Sequence, residues 1–208
     1  MTIDMNIDWN DITETARSLG LEPCALSAVC QVEAAGSGFL PDGRPKILFE
    51  GHIFWKELQK RRYNPAGLLS RADVRAIHGD LSDILYKNWT KKHYRGGVTE
   101  YSRLDRARAV NEEAALCSAS WGAFQIMGFN YALCGYESVR AFVEDMSSGY
   151  AGQLSALAKF LAANNLLRPL KARDWAAFAR GYNGAGYAQN RYDIKLKQAY
   201  EACAASRR

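Results

Sequence analysis

Glu33 stands where a core hydrophobe belongs. Pro23 suits the first position of a helix, where its missing N–H would have no partner anyway. From there the apolar stripe reads Leu26, Val29, Cys30 and then Glu33, the i, i+3, i+4, i+7 spacing of one helix face. A carboxyl on that face, just ahead of a glycine-containing loop, loses water and responds by holding its proton. A carboxyl still neutral at about pH 6–7 is what a general acid needs to protonate a leaving oxygen. The competing reading turns Glu33 to the rim, paired with an arginine such as Arg44.

A second carboxylate, Glu50, lies in KILFEGHIF (46–54), among Ile47, Leu48, Phe49, Ile53 and Phe54. In an extended strand His52 falls on the same face, two residues on. Such a carboxylate can act as base or nucleophile beside the acid. The alternative is a structural Glu50 paired with an arginine of the 100–108 segment; Asp42 and Glu100 are weaker candidates for the second role. Two further stretches carry polar groups among rings and glycines. Ser118–Gly128 reads SASWGAFQIMG, and Arg180–Tyr187 reads RGYNGAGY. On a helix, Gln125 shares a face with Trp121, Phe124 and Gly128, which suits a sugar-binding cleft or, equally, the edge of a core. The Tyr-Asn pair before glycines suits a group reaching into a cleft, or an ordinary helix end.

These groups need helices to hold them. The pattern predicts helices over 8–19 and from Pro23 to about Ala35. After a loop through Gly36–Gly43, the 46–54 segment has strand-like or mixed character. Short helices and loops follow over 56–110. Further helices are expected near 112–118, 121–133, 137–147, 150–164, 170–182 and 188–204. No internal repeat is visible. The chain therefore reads as one mainly α domain over residues 1–208, with a small β or irregular element near 42–55.

Composition excludes some classes. Hydrophobic residues are 48% of the 208 and charged ones 24%, which argues against a disordered chain. The net charge of +5 is a mild excess that favours an anionic partner. Lys87, Lys91, Lys92, Arg95, Arg103, Arg106 and Arg108, interleaved with Trp89, Tyr94 and Tyr101, form either a solvated face, a surface that attracts an anionic wall, or a nucleic-acid surface. Cys24, Cys30, Cys117, Cys134 and Cys203 are odd in number and lack metal-site spacing, so they read mostly as buried thiols of a reducing compartment. No metal or cofactor is expected, since Glu50 and His52 alone supply too few ligands. Met1–Asn10 lacks the basic and apolar regions of a secretory signal, and no apolar run is long enough to insert into a membrane.

Taken in order, the motifs resemble a known family. A glutamate ending an early helix, then GAFQIM (122–127), then a helix ending in Tyr182-Asn183 is similar to the soluble lytic transglycosylases and goose-type lysozymes. The wider text resembles the N-acetylmuramidase domain of phage endolysins, through ALSAVCQVEAAGSGFL (25–40), GRPKILFEGHIFW (43–55), EYSRLDRA (100–107), AALCSASWGAFQIMGFNYALCGY (114–136), AFVEDM (141–146) and DWAAFARGYNGAGYAQNRYDIKLKQAY (174–200). The resemblance implies a lysozyme-like fold and a peptidoglycan hydrolase that cuts the β-1,4 bond between N-acetylmuramic acid and N-acetylglucosamine. It implies Glu33 as general acid, with Tyr182 reaching that carboxyl and Asn183 shaping the cleft. Ser120, Gln125, Ile126 and Met127 would line the sugar sites, the backbone of 125–127 meeting acetamido groups. Glu50 is the candidate for the second catalytic group. The expected partner is the peptidoglycan glycan strand, met by a monomer made in the host cytoplasm and carried to the cell wall by a holin, with no separate wall-binding domain; a secreted effector would look the same. The runner-up activity is lytic transglycosylation, and a runner-up of another class is a non-catalytic basic protein binding wall or nucleic acid.

Overall fold

The computed structural model describes residues 7–34 and 37–207. Residues 1–6, Ala35, Gly36 and Arg208 lie outside the described residues, and with them the expected helix end at Ala35, the loop start at Gly36 and most of the Met1–Asn10 segment. In chain order the elements are α1 (Trp9–Leu19), α2 (Pro23–Glu33), β1 (Ile47–Phe49), α3 (Gly51–Lys60), α4 (Pro65–Ser70), α5 (Ala72–His78), α6 (Thr99–Val110) and α7 (Glu112–Cys117). There follow β2 (Ala119–Trp121), β3 (Ile126–Met127), α8 (Val139–Ser148), α9 (Tyr150–Ala163), α10 (Leu167–Ala172), α11 (Trp175–Asn183) and α12 (Tyr192–Ser206). The fold is mainly α with one small sheet, as expected.

The chain divides into two compact units, residues 1–38 with 148–208, and residues 39–147. In the first, α2 starts at Pro23 and buries Leu26, Ala28, Val29 and Cys30. Helices α12 and α1 pack against it, and α11 packs on α12. The alanine-rich α9 forms as expected and buries Leu154, Leu157 and Leu161. The helix expected over 170–182 is instead two. Arg173 turns left-handed at φ 55°, and Asp174 caps the new start at α11 by accepting from the Ala177 N–H at 3.0 Å. Similarly, the helix expected from 188 begins only at Tyr192, behind a 3-10 turn over Ala185–Asn190.

Two cysteines correct the reading of mostly buried thiols. Cys24 of α2 and Cys203 of α12 form a disulfide across 179 residues of sequence. Cys30, Cys117 and Cys134 remain buried free thiols. Cysteine spacing is blind to such a pairing, because only the packing of α12 on α2 brings the two together. Reduction is expected to lower stability by on the order of 2–5 kcal/mol. Urea midpoints with and without dithiothreitol measure this; Cys24→Ser should match the reduced protein and respond no further to reductant.

In the second unit, β1, β2 and β3 form an antiparallel sheet in that order, with Ile47 opposite Trp121, Phe49 opposite Ala119, and Ser120 opposite Met127. The helix expected over 121–133 is therefore a hairpin followed by a 3-10 turn at Gly128–Asn130. Gly122 at φ 71° and Gln125 at φ 49° occupy left-handed positions that a helix cannot contain. The apolar spacing of Trp121, Phe124 and Gly128 imitated a helix face by coincidence. Gly128 is required here: a Cβ would lie 2.1 Å from the Leu116 carbonyl oxygen. The 46–54 segment is strand only to Phe49. Helix α3 then starts, because Phe54 and Leu58 continue the apolar pattern at helical spacing, with Gly51, Phe54, Glu57 and Leu58 buried. His52 thus sits in a first helical turn rather than a strand. Among the described residues, no helix is long and apolar enough to cross a membrane.

Candidate active site

Glu33 is the last residue of α2 and half-buried. Burial raises its carboxyl pKa above the ordinary value; the hydrogen bond from Asn183 and the charge of Lys195 oppose that rise without cancelling it. Asn183 closes α11, and its Nδ2 donates to both Glu33 oxygens at 3.2 Å. The Asn183 Oδ1 is buried without a hydrogen-bond partner. An amide serves a carboxyl in either state. Nδ2 donates to the carboxylate, and a half-turn of the amide offers Oδ1 to the acid's O–H. Arg44, the partner considered for a rim-facing Glu33, instead pairs with Asp42 at 2.6 Å and lies over the Tyr101 ring.

Tyr182 occupies a different place from the one expected. Its ring stacks on Phe178 (centroids 5.5 Å apart) and meets Phe160 edge-on at 5.9 Å. Burial, and secondarily the Glu33 charge, pushes its hydroxyl well above the usual tyrosine range. Among the described residues the hydrogen bonds to Glu33 come from Asn183, not from Tyr182.

Glu50 caps the start of α3 in extended conformation, its N–H donating to the Ser118 carbonyl at 2.9 Å. The Tyr94 hydroxyl donates to its Oε2 at 2.5 Å, and burial together with that bond raises the phenol's pKa. His52 Nδ1 lies 3.3 Å from the same oxygen, out of line for a hydrogen bond. Burial outweighs the attraction of Glu50 and lowers the His52 pKa, so the imidazole is neutral at neutral pH. Glu50 and His52 do meet, through a helical turn instead of a strand face. No arginine pairs with Glu50 among the described residues, and its Oε1 carries no protein hydrogen bond there.

The arginine considered for Glu50 belongs to Glu100. That carboxylate is fully buried and accepts from Arg103 Nη1 (2.8 Å) and the N–H groups of Phe49 (3.1 Å), Arg95 (2.6 Å) and Gly96 (3.1 Å). Four donors leave it no capacity for chemistry. Asp42 is exposed and held by Arg44, its pKa lowered by that hydrogen bond. Arg103 also donates to the carbonyls of Phe49 (3.0 Å) and Asp83 (2.8 Å). The pair thus grips Phe49, the residue before Glu50, by both its N–H and its C=O. The basic stretch is partly neutralised in the same way, Arg106 pairing with Asp83 and Arg108 with Asp105 and Glu112.

In the hairpin, Gln125 Nε2 donates to the Gly122 carbonyl at 2.7 Å, and its Oε1 accepts from Ser120 Oγ at 2.8 Å. The amide therefore braces the turn that holds Gln125 itself at positive φ. Ile126 is buried, Met127 half-buried, and both lie on β3, an edge strand of the sheet. The structure thus gathers Glu33, Tyr182 and Asn183 in one unit, and Glu50, Ser120, Gln125, Ile126 and Met127 in the other. The sequence reading named Tyr94, Glu100 and Arg103 but missed their roles: Tyr94 as donor to Glu50, and Glu100 with Arg103 as a buried pair. Only the Glu100–Arg103 spacing of i, i+3 hinted at a pair. Among the described residues no three His, Cys, Asp or Glu side chains cluster as metal ligands would.

Comparison with known proteins adds two findings. The family model described as N-acetylmuramidase matches residues 22–204. The crystal structure of the Burkholderia AP3 phage endolysin is similar to this chain, with a TM-score of 0.85 and 36% identity over 99% of this chain and 74% of that one. A search of the curated proteins finds no match.

Proposed function

Because the chain belongs to the N-acetylmuramidase family, we propose that it hydrolyses the β-1,4 bond between N-acetylmuramic acid and N-acetylglucosamine, with Glu33 as general acid. Family membership makes it a peptidoglycan-cleaving enzyme; the bond and the residues are our assignment. The observation that carries it is the Glu33 carboxyl, its pKa raised by burial and its oxygens partnered by a neutral amide instead of a cation. Protonated Glu33 gives its proton to the glycosidic oxygen as the bond to the anomeric carbon breaks. Glu50, through its free Oε1, takes a proton from the water that attacks that carbon, while Tyr94 fixes its other oxygen. Use of a water in this way inverts the anomeric centre. On the edge strand, Ile126 and Met127 offer backbone groups to an acetamido substituent, with Ser120 and Gln125 holding the turn that presents them.

The bond from Asn183 lowers the Glu33 pKa, so Asn183→Ala is expected to raise it. The acid then keeps its proton longer as pH rises, and the alkaline limb of kcat/KM moves to higher pH. A profile from pH 4 to 9 checks the direction; a limb that stays fixed or moves down removes Asn183 from this role.

Digestion of purified peptidoglycan, with the released muropeptides weighed by mass spectrometry, tests the reaction itself. Reducing muramic ends, one water heavier than the anhydro form, are expected. Glu50→Gln should slow their release by roughly 10²–10⁴-fold. Anhydro ends would make the enzyme a lytic transglycosylase and leave Glu50 a structural part. On this reading the protein lyses bacteria from the wall side, reached through a holin, in a compartment oxidising enough for Cys24–Cys203 to form.

A further inference from the structure

Helix α3 buries one face and leaves the other to solvent. The outward residues His52, Trp55, Lys56 and Gln59 recur at i, i+3, i+4 and i+7, a single stripe along the helix. Opposite them stands the segment Lys87–Trp89, and the two enclose a groove of about 580 Å³. That size is in the range of ligand sites, about 300–1,000 Å³. One of its lining residues, His52, lies 3.3 Å from Glu50.

The lining has a distinct chemistry. Trp89 is 59% exposed, with Lys91 Nζ 5.8 Å from its ring centre, and Trp55 is half-exposed on the facing wall. Flat rings of this kind take the C–H face of a pyranose, burying apolar surface on both. Gln59 and Asn88 bring amides, which pair with hydroxyl and acetamido groups in both directions. Lys56 and Lys87 are exposed cations that make no ion pair among the described residues.

We propose that this groove is an aminosugar subsite that also holds the anionic peptide stem of the glycan strand, the rings taking the sugar and the two lysines the stem carboxylates. The assignment rests on the reading of the chain as a muramidase that uses Glu50. Nucleic acid could also stack on tryptophans beside lysines. A phosphate backbone, however, would meet the Glu50 carboxylate beside His52, and the neutral amides give it nothing a sugar does not use better.

The test uses the soluble disaccharide in which the anomeric carbon of N-acetylglucosamine is linked to O4 of N-acetylmuramic acid, once bearing its peptide stem and once without. Neither contains the bond assigned to Glu33 chemistry, so binding is read independently of turnover. Indole N–H resonances of Trp55 and Trp89 are followed by NMR titration of the full chain. Both should shift with either ligand, and Trp89→Ala should weaken both complexes about tenfold. The double variant Lys56→Ala with Lys87→Ala should weaken the stem-bearing ligand about fivefold or more at low salt, and the stem-free one less than twofold. It should also remove most of the salt dependence of binding. These positions are exposed, and circular dichroism confirms that the variants fold. Indole signals that ignore both sugars, or affinities unchanged in Trp89→Ala, overturn the subsite even if the digest yields reducing ends. A thymidine oligonucleotide that shifts the indoles where the sugars do not overturns it in favour of nucleic acid. Anhydro ends in the digest, with the shifts intact, overturn the hydrolytic reading and leave the groove standing.

Discussion

Glu33→Gln loses roughly a thousandfold or more in kcat on peptidoglycan and melts at a higher temperature than the parent at neutral pH. The first effect is the loss of the proton donor, within the roughly 10²–10⁴-fold span of a positioned acid. The second follows from burial. A folded-state carboxyl pKa above the unfolded value means that the folded protein binds the proton more tightly, so Glu33 favours folding most at low pH. That contribution fades as pH climbs from the ordinary glutamate range through the raised value, where the half-buried group must ionise. Glutamine fills the same space, still accepts from Asn183, and never ionises. Thermal melts from pH 3.5 to 8 should therefore superimpose in acid and diverge above it, the variant on top. A parent as stable as the variant at pH 7 would show that Glu33 is not desolvated, and the assignment of the acid would lose its physical basis. Gain of stability with loss of rate is what a site held in a strained charge state produces.

Arg103→Met costs about 3–5 kcal/mol, because it leaves the buried Glu100 charge without its cation. Three backbone N–H groups still reach Glu100, yet the carbonyls of Phe49 and Asp83 lose their donor as well. Urea denaturation measures the loss. The diagnostic variant is the double one. Glu100→Gln combined with Arg103→Met retains an acceptor for the backbone N–H groups and no orphan charge, so its cost should fall short of the summed single costs by more than about 1 kcal/mol. Full additivity would mean that the two side chains do not act as a pair. Because the pair holds Phe49 from both sides, the single variant should also slow turnover beyond any loss of folded protein. Glu50, the next residue, is no longer held in place.

What the sequence disclosed follows from what kind of physics placed each group. Glu33 was legible because one helix with one apolar stripe is a local pattern, and Pro23 marks its start. The Glu50–His52 encounter was anticipated for a different reason than the one that holds. A strand face and a helical first turn both bring residues two apart near each other, and β1 ends just in time for the second to win. Non-local facts were hidden. The hairpin at 119–127 depends on pairing with β1, some 70 residues earlier, and on Gln125 tolerating a left-handed backbone that its own side chain braces. Arg44 and Arg103 each had a plausible glutamate in the sequence and chose another carboxylate, because proximity in a polar segment is settled by packing alone. Asn183 rather than Tyr182 reaches Glu33, since Phe178 and Phe160 already claim the tyrosine ring.

The Cys24–Cys203 bond closes the chain between the two cysteines into a covalent ring. A peptidoglycan enzyme at work outside the cytoplasm meets proteases, and a ring answers them in a way a linear chain cannot. One cut at any exposed loop between the two cysteines opens the ring without dividing the molecule. Both pieces stay tethered, and the helix that ends in Glu33 stays joined to the last helix of the fold. Two cuts between the cysteines are needed before any fragment of the ring can leave.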